Sequence, residues 1–363
     1  MTIDPSPALP LPVTIDEIDL AWLTRALRTR APEAGLRGFE IVEVDHGTCT
    51  KIRIALDLDD AARAAGIAER VILKGGFEPH SRQMHYMHGF EVHAYADVLP
   101  VLKLPSPAAY FAGFDEARQQ GIVILEDLSL RGVEFCHPLV PNSVEQVSRR
   151  LIELARFHAK TWGSPELDPG GRWGFLGVCI PETGGHMRQF LDPVVWQSFV
   201  DLPRGRAASV HFHDPRWMAE ALDKLHRLAK RLPHALLHGD THLGNLYREA
   251  DGTPGFFDSL PHRWPGIQEV AYHVAGALDP IERRQAEREL VALYLDELAA
   301  SGVTPPSLEE SMRHYAAFLA FGYCIFLVNA SAFQPEAINT AYAARFSAAM
   351  VDNDTIGVLA ALD

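Results

Sequence analysis

Cysteine is scarce in this chain. Cys49, Cys136, Cys179 and Cys324 are the four in 363 residues, and no two form a C-x-x-C pair. That excludes a disulfide scaffold and a framework of paired zinc cysteines, and it fits free thiols in a reducing compartment. Cations are in deficit as well, with 33 Lys and Arg against 47 Asp and Glu and a formal net charge of −14. Binding to nucleic acid needs clustered Lys and Arg to neutralise phosphates, so no nucleic-acid partner is expected. Residues 1–13 are proline-rich and lack a basic stretch followed by an apolar run. No signal peptide is expected, and the expected location is cytoplasmic. There are no internal repeats or low-complexity tracts. A full G-x-G-x-x-G is missing too: the turn His46-Gly47-Thr48-Cys49-Thr50 holds a single glycine.

What is present reads as an ordinary soluble protein, 47% apolar and 22% charged, long enough for two lobes. The stretch from Tyr315 to Phe333 is long and apolar enough to span a bilayer. Gly322, Asn329 and Ser331 interrupt it, and a buried helix of a helical lobe is the expectation, with no membrane partner.

Thr14, with Glu17 three residues on, predicts a helix start, and Ile18, Trp22, Leu23 and Leu27 continue at helical spacing. Gly35 and Gly38 close that element. Alternation predicts strands over Phe39–Val44, Ile52–Leu58 and Val71–Lys74. Met84–Val98 reads as a helix carrying Glu91, and Pro100, Pro105 and Pro107 break the stretch after it. Ala109–Phe114 and Gly121–Leu125 complete a five-stranded antiparallel sheet with one helix inserted after its third strand. After Glu126-Asp127-Leu128 the texture changes. Ser143 and Gln146 form a capping box opening a helix through His158, and most later segments read as helices. The expected fold class is α+β, with one lobe over residues 1–126 and a helical lobe over 127–363.

One unit interrupts the helices. Ala235-Leu236-Leu237 predicts a short buried strand, followed by His238-Gly239-Asp240-Thr241-His242-Leu243-Gly244-Asn245. After Leu246-Tyr247 and the Asp251-Gly252 turn, Gly255-Phe256-Phe257 delivers Asp258 at a strand end, thirteen residues past Asn245. Phosphoryl transfer from ATP needs a group to take or orient the hydroxyl proton and oxygen ligands for magnesium. An Asp-x4-Asn loop followed by a later Asp meets that need. His238, Asp240 and His242 also alternate as zinc ligands can. No second well-spaced set accompanies them; His211-Phe212-His213, with Pro215 close behind, is the nearest.

A sheet lobe, a connector and a helical lobe bearing Asp-x4-Asn…Asp is a kinase layout. The chain resembles the aminoglycoside phosphotransferase and choline kinase superfamily of small-molecule kinases over most of residues 15–290. Leu154-Ala155-Arg156-Phe157-His158-Ala159 and the long N-terminal helix resemble its ecdysteroid-kinase-like branch. The resemblance implies a two-lobed, protein-kinase-like fold, ATP or another purine nucleoside triphosphate and Mg2+ as cofactors, and a small-molecule hydroxyl as acceptor. It implies that Lys74 contacts phosphates and that Glu91 pairs with Lys74, although Glu78 is nearby. It further implies that the turn at Gly47 and Thr48 covers the phosphates and that backbone groups of Glu126 to Leu128 receive the adenine. Asp240 would orient the attacking hydroxyl, while Asn245 and Asp258 would hold magnesium, with His238 anchoring the loop. The turn departs from a glycine-rich loop, Ser259-Leu260 follows Asp258 where relatives usually place an aromatic and then an acidic or amide residue, and Glu269 stands where relatives typically carry an Asp that supports the catalytic loop. The alternative is a nucleotide-binding pseudokinase or scaffold. An aminoglycoside acceptor would want carboxylates such as Asp279 and Glu282, an apolar acceptor aromatics such as Tyr323 and Phe326, and a choline-like one an aromatic cage.

Overall fold

The second strand sets the pattern of the N-terminal sheet. Along β2 (Thr50–Leu58) residues Thr50, Ile52, Ile54, Leu56 and Leu58 are buried, while the residues between them are half-buried or exposed. This is the period of two that puts one strand face on a core. The computed structural model describes residues 9–47, 49–182 and 185–362. Thr48 lies outside them. The chain forms two units. One comprises Met1–Glu134, Glu249–Asp251 and Gly255–Pro261; the other comprises Phe135–Arg248, Gly252–Pro254 and His262–Asp363.

In the first unit, β1 (Leu36–Asp45), β2, β3 (Arg70–Gly75), β4 (Ala109–Asp115) and β5 (Gln120–Glu126) form a five-stranded sheet in the order β1-β2-β3-β5-β4. Every neighbouring pair is antiparallel. Helix α1 (Leu20–Arg28) lays Trp22, Leu23, Ala26 and Leu27 on the face carrying Ile52, Ile54, Val71, Leu73, Phe111, Ile122 and Ile124. Its cap is Asp19, whose carboxylate accepts the Trp22 amide at 2.6 Å. The expected start at Thr14 belongs instead to a separate single turn, Ile15–Glu17, whose Thr14 makes no side-chain capping bond. A short helix, α2 (Asp60–Ala64), precedes the turn at Gly66.

Helix α3 (His85–His93) continues through a π-helical turn (Ala94–Val98) into α4 (Leu99–Leu102), so Pro100 does not break the run. Pro100 lacks an N–H and its ring would crowd the carbonyl four residues back. It is the second residue of α4, one residue past the π turn, in the first turn, where a helical amide needs no partner. Lys103, in the left-handed region at φ 57°, ends the run.

Gly121 governs how close α3 comes to the sheet. A Cβ there would lie 2.8 Å from the Cβ of His88 and 3.0 Å from its carbonyl carbon and oxygen. Only glycine allows helix backbone to rest on strand backbone at this point. One turn further along α3 is Glu91.

The second unit contains β6 (Glu134–Phe135) in part, then α5 (Val144–Ala159) through α13 (Thr355–Ala360). Both halves of the Ser143–Gln146 capping box are formed on α5. Strand β7 (Ala235–Leu237) pairs antiparallel with β10 (His262–Trp264). Between them in sequence come β8 (Leu246–Arg248) and β9 (Pro254–Phe256). Every residue of α9 (Gly266–Ala277) is buried, and α10 (Pro280–Ala300), α11 (Leu308–Val328) and α12 (Glu336–Asp352) pack around it. By length and composition α11 could cross a membrane, but 78% of its most apolar window is buried within the protein. The four cysteines are free thiols.

Replacing Gly121 with Ala should push α3 off the sheet and lower stability by about 1–3 kcal/mol, the usual cost of overpacking. Thermal unfolding of Gly121→Ala reads this directly. An unchanged midpoint would show that α3 does not depend on the close approach.

Candidate active site

Each unit carries its own cluster of predicted residues. In the sheet unit, β3 delivers Lys74 and α3 delivers Glu91, and Lys74 Nζ lies 2.5 Å from Glu91 Oε1. The same ammonium lies 2.6 Å from Asp258 Oδ1. Asp258 belongs to the segment that returns to this unit, tied to it by the Phe256 amide donating to the Pro105 carbonyl at 2.9 Å. It sits two residues past the end of β9 rather than at the strand end, with φ 55°, a left-handed conformation unusual outside glycine. The Lys74 side chain is 5% exposed. Burial works against its charge, but Asp258 and Glu91 outweigh burial and hold the ammonium well above the usual lysine range.

Glu78 is not the partner of Lys74. Its Oε1 accepts the Thr50 hydroxyl at 2.9 Å and lies 2.6 Å from His46 Nδ1. Both bonds hold its carboxyl below the usual range. This cluster closes the turn after β1, where the Gly47 carbonyl meets His80 Nε2 at 3.1 Å.

At the connector, the Glu126 amide donates to the Ala108 carbonyl at 2.9 Å, so that N–H is taken. The Glu126 carboxylate accepts the Ala108 amide and Arg131, each at 2.7 Å. Leu128 opens a 3-10 turn, Leu128–Arg131, where the first amides have no partner within the helix. Asp127, missed in the sequence reading, is the tie: its carboxylate meets Arg53 at 3.1 Å and Arg70 at 3.2 Å. Burial raises its pKa, but bonds to Ser129 and the two guanidinium groups bring it below the usual range.

In the helical unit, the loop from His238 to Asn245 is held by one face of α9. Glu269 Oε2 accepts the His238 amide at 3.1 Å, and Oε1 accepts the Gly239 amide at 2.7 Å. Tyr272 donates its hydroxyl to Asp240 Oδ1 at 3.0 Å. His273 Nδ1 donates to the Thr241 carbonyl at 2.9 Å. Residues at i, i+3 and i+4 share a helix face, so 269, 272 and 273 secure four consecutive loop residues. That spacing, polar groups in an otherwise apolar helix, was the signal for Tyr272 and His273, which sequence reasoning passed over. Gly239 turns the loop at φ 91°.

Asp240 and Asn245 are brought together. Asn245 Nδ2 donates to both the backbone carbonyl and Oδ2 of Asp240 at 3.0 Å. The orientation leaves Asn245 Oδ1 without a hydrogen-bond donor among the described residues. His242 Nδ1 accepts the Gly244 amide at 3.0 Å, so Nε2 carries its proton and faces Asp240 Oδ2 at 3.5 Å. Behind the loop, His158 Nε2 meets Glu269 Oε2 at 2.9 Å and His158 Nδ1 meets the Tyr294 hydroxyl at 2.9 Å. Burial opposes ionisation of Glu269, but His158, His238 and the Gly239 amide outweigh it and keep the carboxyl below the usual range.

The other candidates stand apart. Tyr323 and Phe326 are core residues, and Phe326 stacks on Tyr342 with centroids 3.9 Å apart. Asp279 caps α10 through the Ile281 amide at 2.8 Å. Among the described residues no three His, Cys, Asp or Glu side chains are grouped as a metal site, so the zinc reading finds no support.

No protein-family model matches the chain, and no curated protein matches it. Solved structures do. A choline kinase from Cryptosporidium parvum Iowa II is 10% identical and aligns over 94% of this chain and 98% of its own, with a TM-score of 0.51. A choline/ethanolamine kinase family protein from Mesorhizobium loti is 14% identical over 94% and 97%, at 0.49. An aminoglycoside phosphotransferase from Alicyclobacillus acidocaldarius is 14% identical over 89% and 91%, at 0.40. The chain therefore shares the kinase-like fold of that choline kinase, an antiparallel sheet followed by a helical part.

Glu269→Gln should cost about 3 kcal/mol or more, since it removes a buried charge that holds two amides and a histidine. Denaturant unfolding tests this, and a loss under 1 kcal/mol would show that the loop is held by other contacts. Burial and the nearby Arg150 push His273 down to about 3 from an ordinary 6.5. Its folded pKa is depressed, so its contribution is complete above pH 6.5 and is lost as pH falls from there toward 3. The slope is about 1.4 kcal/mol per pH unit. Between pH 6 and 5, His273→Asn should flatten the pH dependence of unfolding by one proton; an unchanged slope would mean the imidazole is protonated in the fold.

Proposed function

We propose that this protein is a small-molecule kinase that transfers the γ-phosphoryl group of ATP, or of another purine nucleoside triphosphate, to a hydroxyl group. The observation that carries the reading is Lys74, a buried ammonium held between Glu91 and Asp258. Such a group offers a fixed positive charge to phosphate oxygens. The kinase-like fold supports it, as does the loop in which Asp240 and Asn245 are pinned side by side.

Asp240 is the residue proposed to orient the acceptor hydroxyl and take its proton. With Tyr272 on one oxygen and Asn245 on the other, it is fixed in direction. Held so, it presents an aligned hydrogen-bond acceptor to the hydroxyl. The donor set fits magnesium, which takes hard oxygen ligands: Asn245 presents an amide oxygen with no donor upon it among the described residues, and Asp258 a carboxylate. These two residues would hold the ion, which when bound neutralises phosphate charge. Leu128 supplies a backbone amide for the base. The ecdysteroid-kinase-like branch remains the proposed relative on the segment from Leu154 to Ala159, because the N-terminal helix expected to be long spans only Leu20–Arg28. The acceptor is a small molecule; capping α10 occupies Asp279, and core packing occupies Tyr323 and Phe326.

The test is thermal stability with Mg-ATP on the wild type and Asp258→Ala. At a hundred times its dissociation constant a ligand adds about 2.7 kcal/mol, a shift of a few degrees. A magnesium-dependent shift in the wild type that Asp258→Ala abolishes is the expected result, and Asp240→Asn should keep the shift while losing transfer to any acceptor that the wild type accepts. Absence of a shift with every purine nucleoside triphosphate would sink the reading. A shift without transfer to any acceptor would point to a nucleotide-binding scaffold.

A further inference from the structure

The sheet face that bears Lys74 carries a second lysine. Lys51 of β2 is the direct cross-strand partner of Lys74 on β3. Residues opposite each other in an antiparallel pair project to the same side of the sheet, so the two ammonium groups share one face. Lys51 Nζ lies 3.9 Å from Asp258 Oδ2, while Lys74 takes Oδ1 at 2.6 Å. Two cations thus flank one carboxylate, one on each oxygen.

They are not equivalent. Lys74 is 5% exposed at its side chain and bonded to two carboxylates, whereas Lys51 is 44% exposed. At 3.9 Å its ion pair with Asp258 is too long for a hydrogen bond, so among the described residues none of its three N–H donors is engaged. Its cationic neighbours on the same face are already committed. Arg53 is paired with Glu43 and Asp127, and Arg70 with Asp127.

The preceding turn explains why an uncommitted cation belongs here. Phosphates can be held by a nest of backbone amides, which needs residues in the left-handed region, usually glycines. Gly47 is the turn's one glycine, and it is not left-handed. Its carbonyl is engaged with His80, and the turn is tied down through His46 and Thr50 on Glu78.

We propose that Lys51 is a phosphate-binding residue that grips the outer phosphates of the nucleotide by side-chain charge, beside Lys74. This rests on the nucleotide reading above. When a cation ligates Asp258, Lys51 loses the one partner it has among the described residues and its ammonium turns to the phosphate oxygens, on which a compact point charge with three donors fits from several directions.

Isothermal titration of Mg-ATP, Mg-ADP and AMP into the wild type, Lys51→Ala and Lys51→Arg tests it. Lys51→Ala should weaken Mg-ATP by about tenfold, the loss of one charge-assisted bond, and AMP by less than about twofold. Lys51→Arg should recover most of the ATP affinity. The unliganded melting temperature of Lys51→Ala should stay near the wild type's, because an exposed pair at this distance contributes little. If Lys51→Ala does not fold, Lys51→Gln carries the same comparison. Equal losses for ATP and AMP, or an unchanged ATP affinity, would overturn the assignment while leaving the kinase reading intact. A wild type that binds none of the three nucleotides would overturn both.

Discussion

A lysine with 4% of its surface exposed keeps its charge only where anions replace the water it has lost. The sheet unit is organised around that condition at Lys74. Glu91 reaches it because Gly121 lets α3 rest directly on β5. Asp258 reaches it because the returning segment is stitched to the unit at Pro105. Neither carboxylate is redundant. Removing one partner of a buried pair leaves an uncompensated charge, which costs about 3–5 kcal/mol. The charge proposed to meet phosphate is therefore also a charge on which the fold of this unit depends.

The helical unit solves the inverse problem. Glu269 is a buried anion, and its solvation is replaced by two loop amides and His158. A carboxylate on a rigid, fully buried helix is a fixed anchor, and Tyr272 and His273 on the same face add two further points. The consequence is local. Asp240 and Asn245 lie on a loop, which is ordinarily mobile, yet four consecutive residues of that loop are tied to one helix. The longer side chain at 269 demands no distortion: it spans the amides of 238 and 239 and still meets His158.

How much of this the sequence disclosed depends on how local each cause is. The strands, the Ser143 capping box and the spacing of Asp240 and Asn245 were legible because a few adjacent residues determine them. The choice between Glu78 and Glu91 was not, since both lie within reach in sequence. It is decided by His46 and Thr50, which claim Glu78 from across the sheet. The cap at Asp19 was misassigned to Thr14 because both positions satisfy the local rule, and packing of Trp22 against Phe111 chooses the later start. Pro100 misled because its usual effect is cancelled by the π turn ahead of it. Lys51 was passed over because a lysine on an alternating strand reads as solvated surface until the register sets it opposite Lys74.

The turn after β1 shows the same exchange of means. A glycine-rich loop gains its shape from backbone freedom and holds phosphate through amide dipoles. Here the shape comes from side chains instead, with Glu78 bonded to His46 and Thr50 and the Gly47 carbonyl facing His80. A turn fixed in that way has no need of a left-handed glycine at position 47. On the proposed reading, attraction for phosphate comes from charge, and charge acts over a longer range and is less exacting in direction than an amide hydrogen bond. Lys51 and Lys74 are proposed to meet that requirement from neighbouring strands, set side by side by the register of one antiparallel pair.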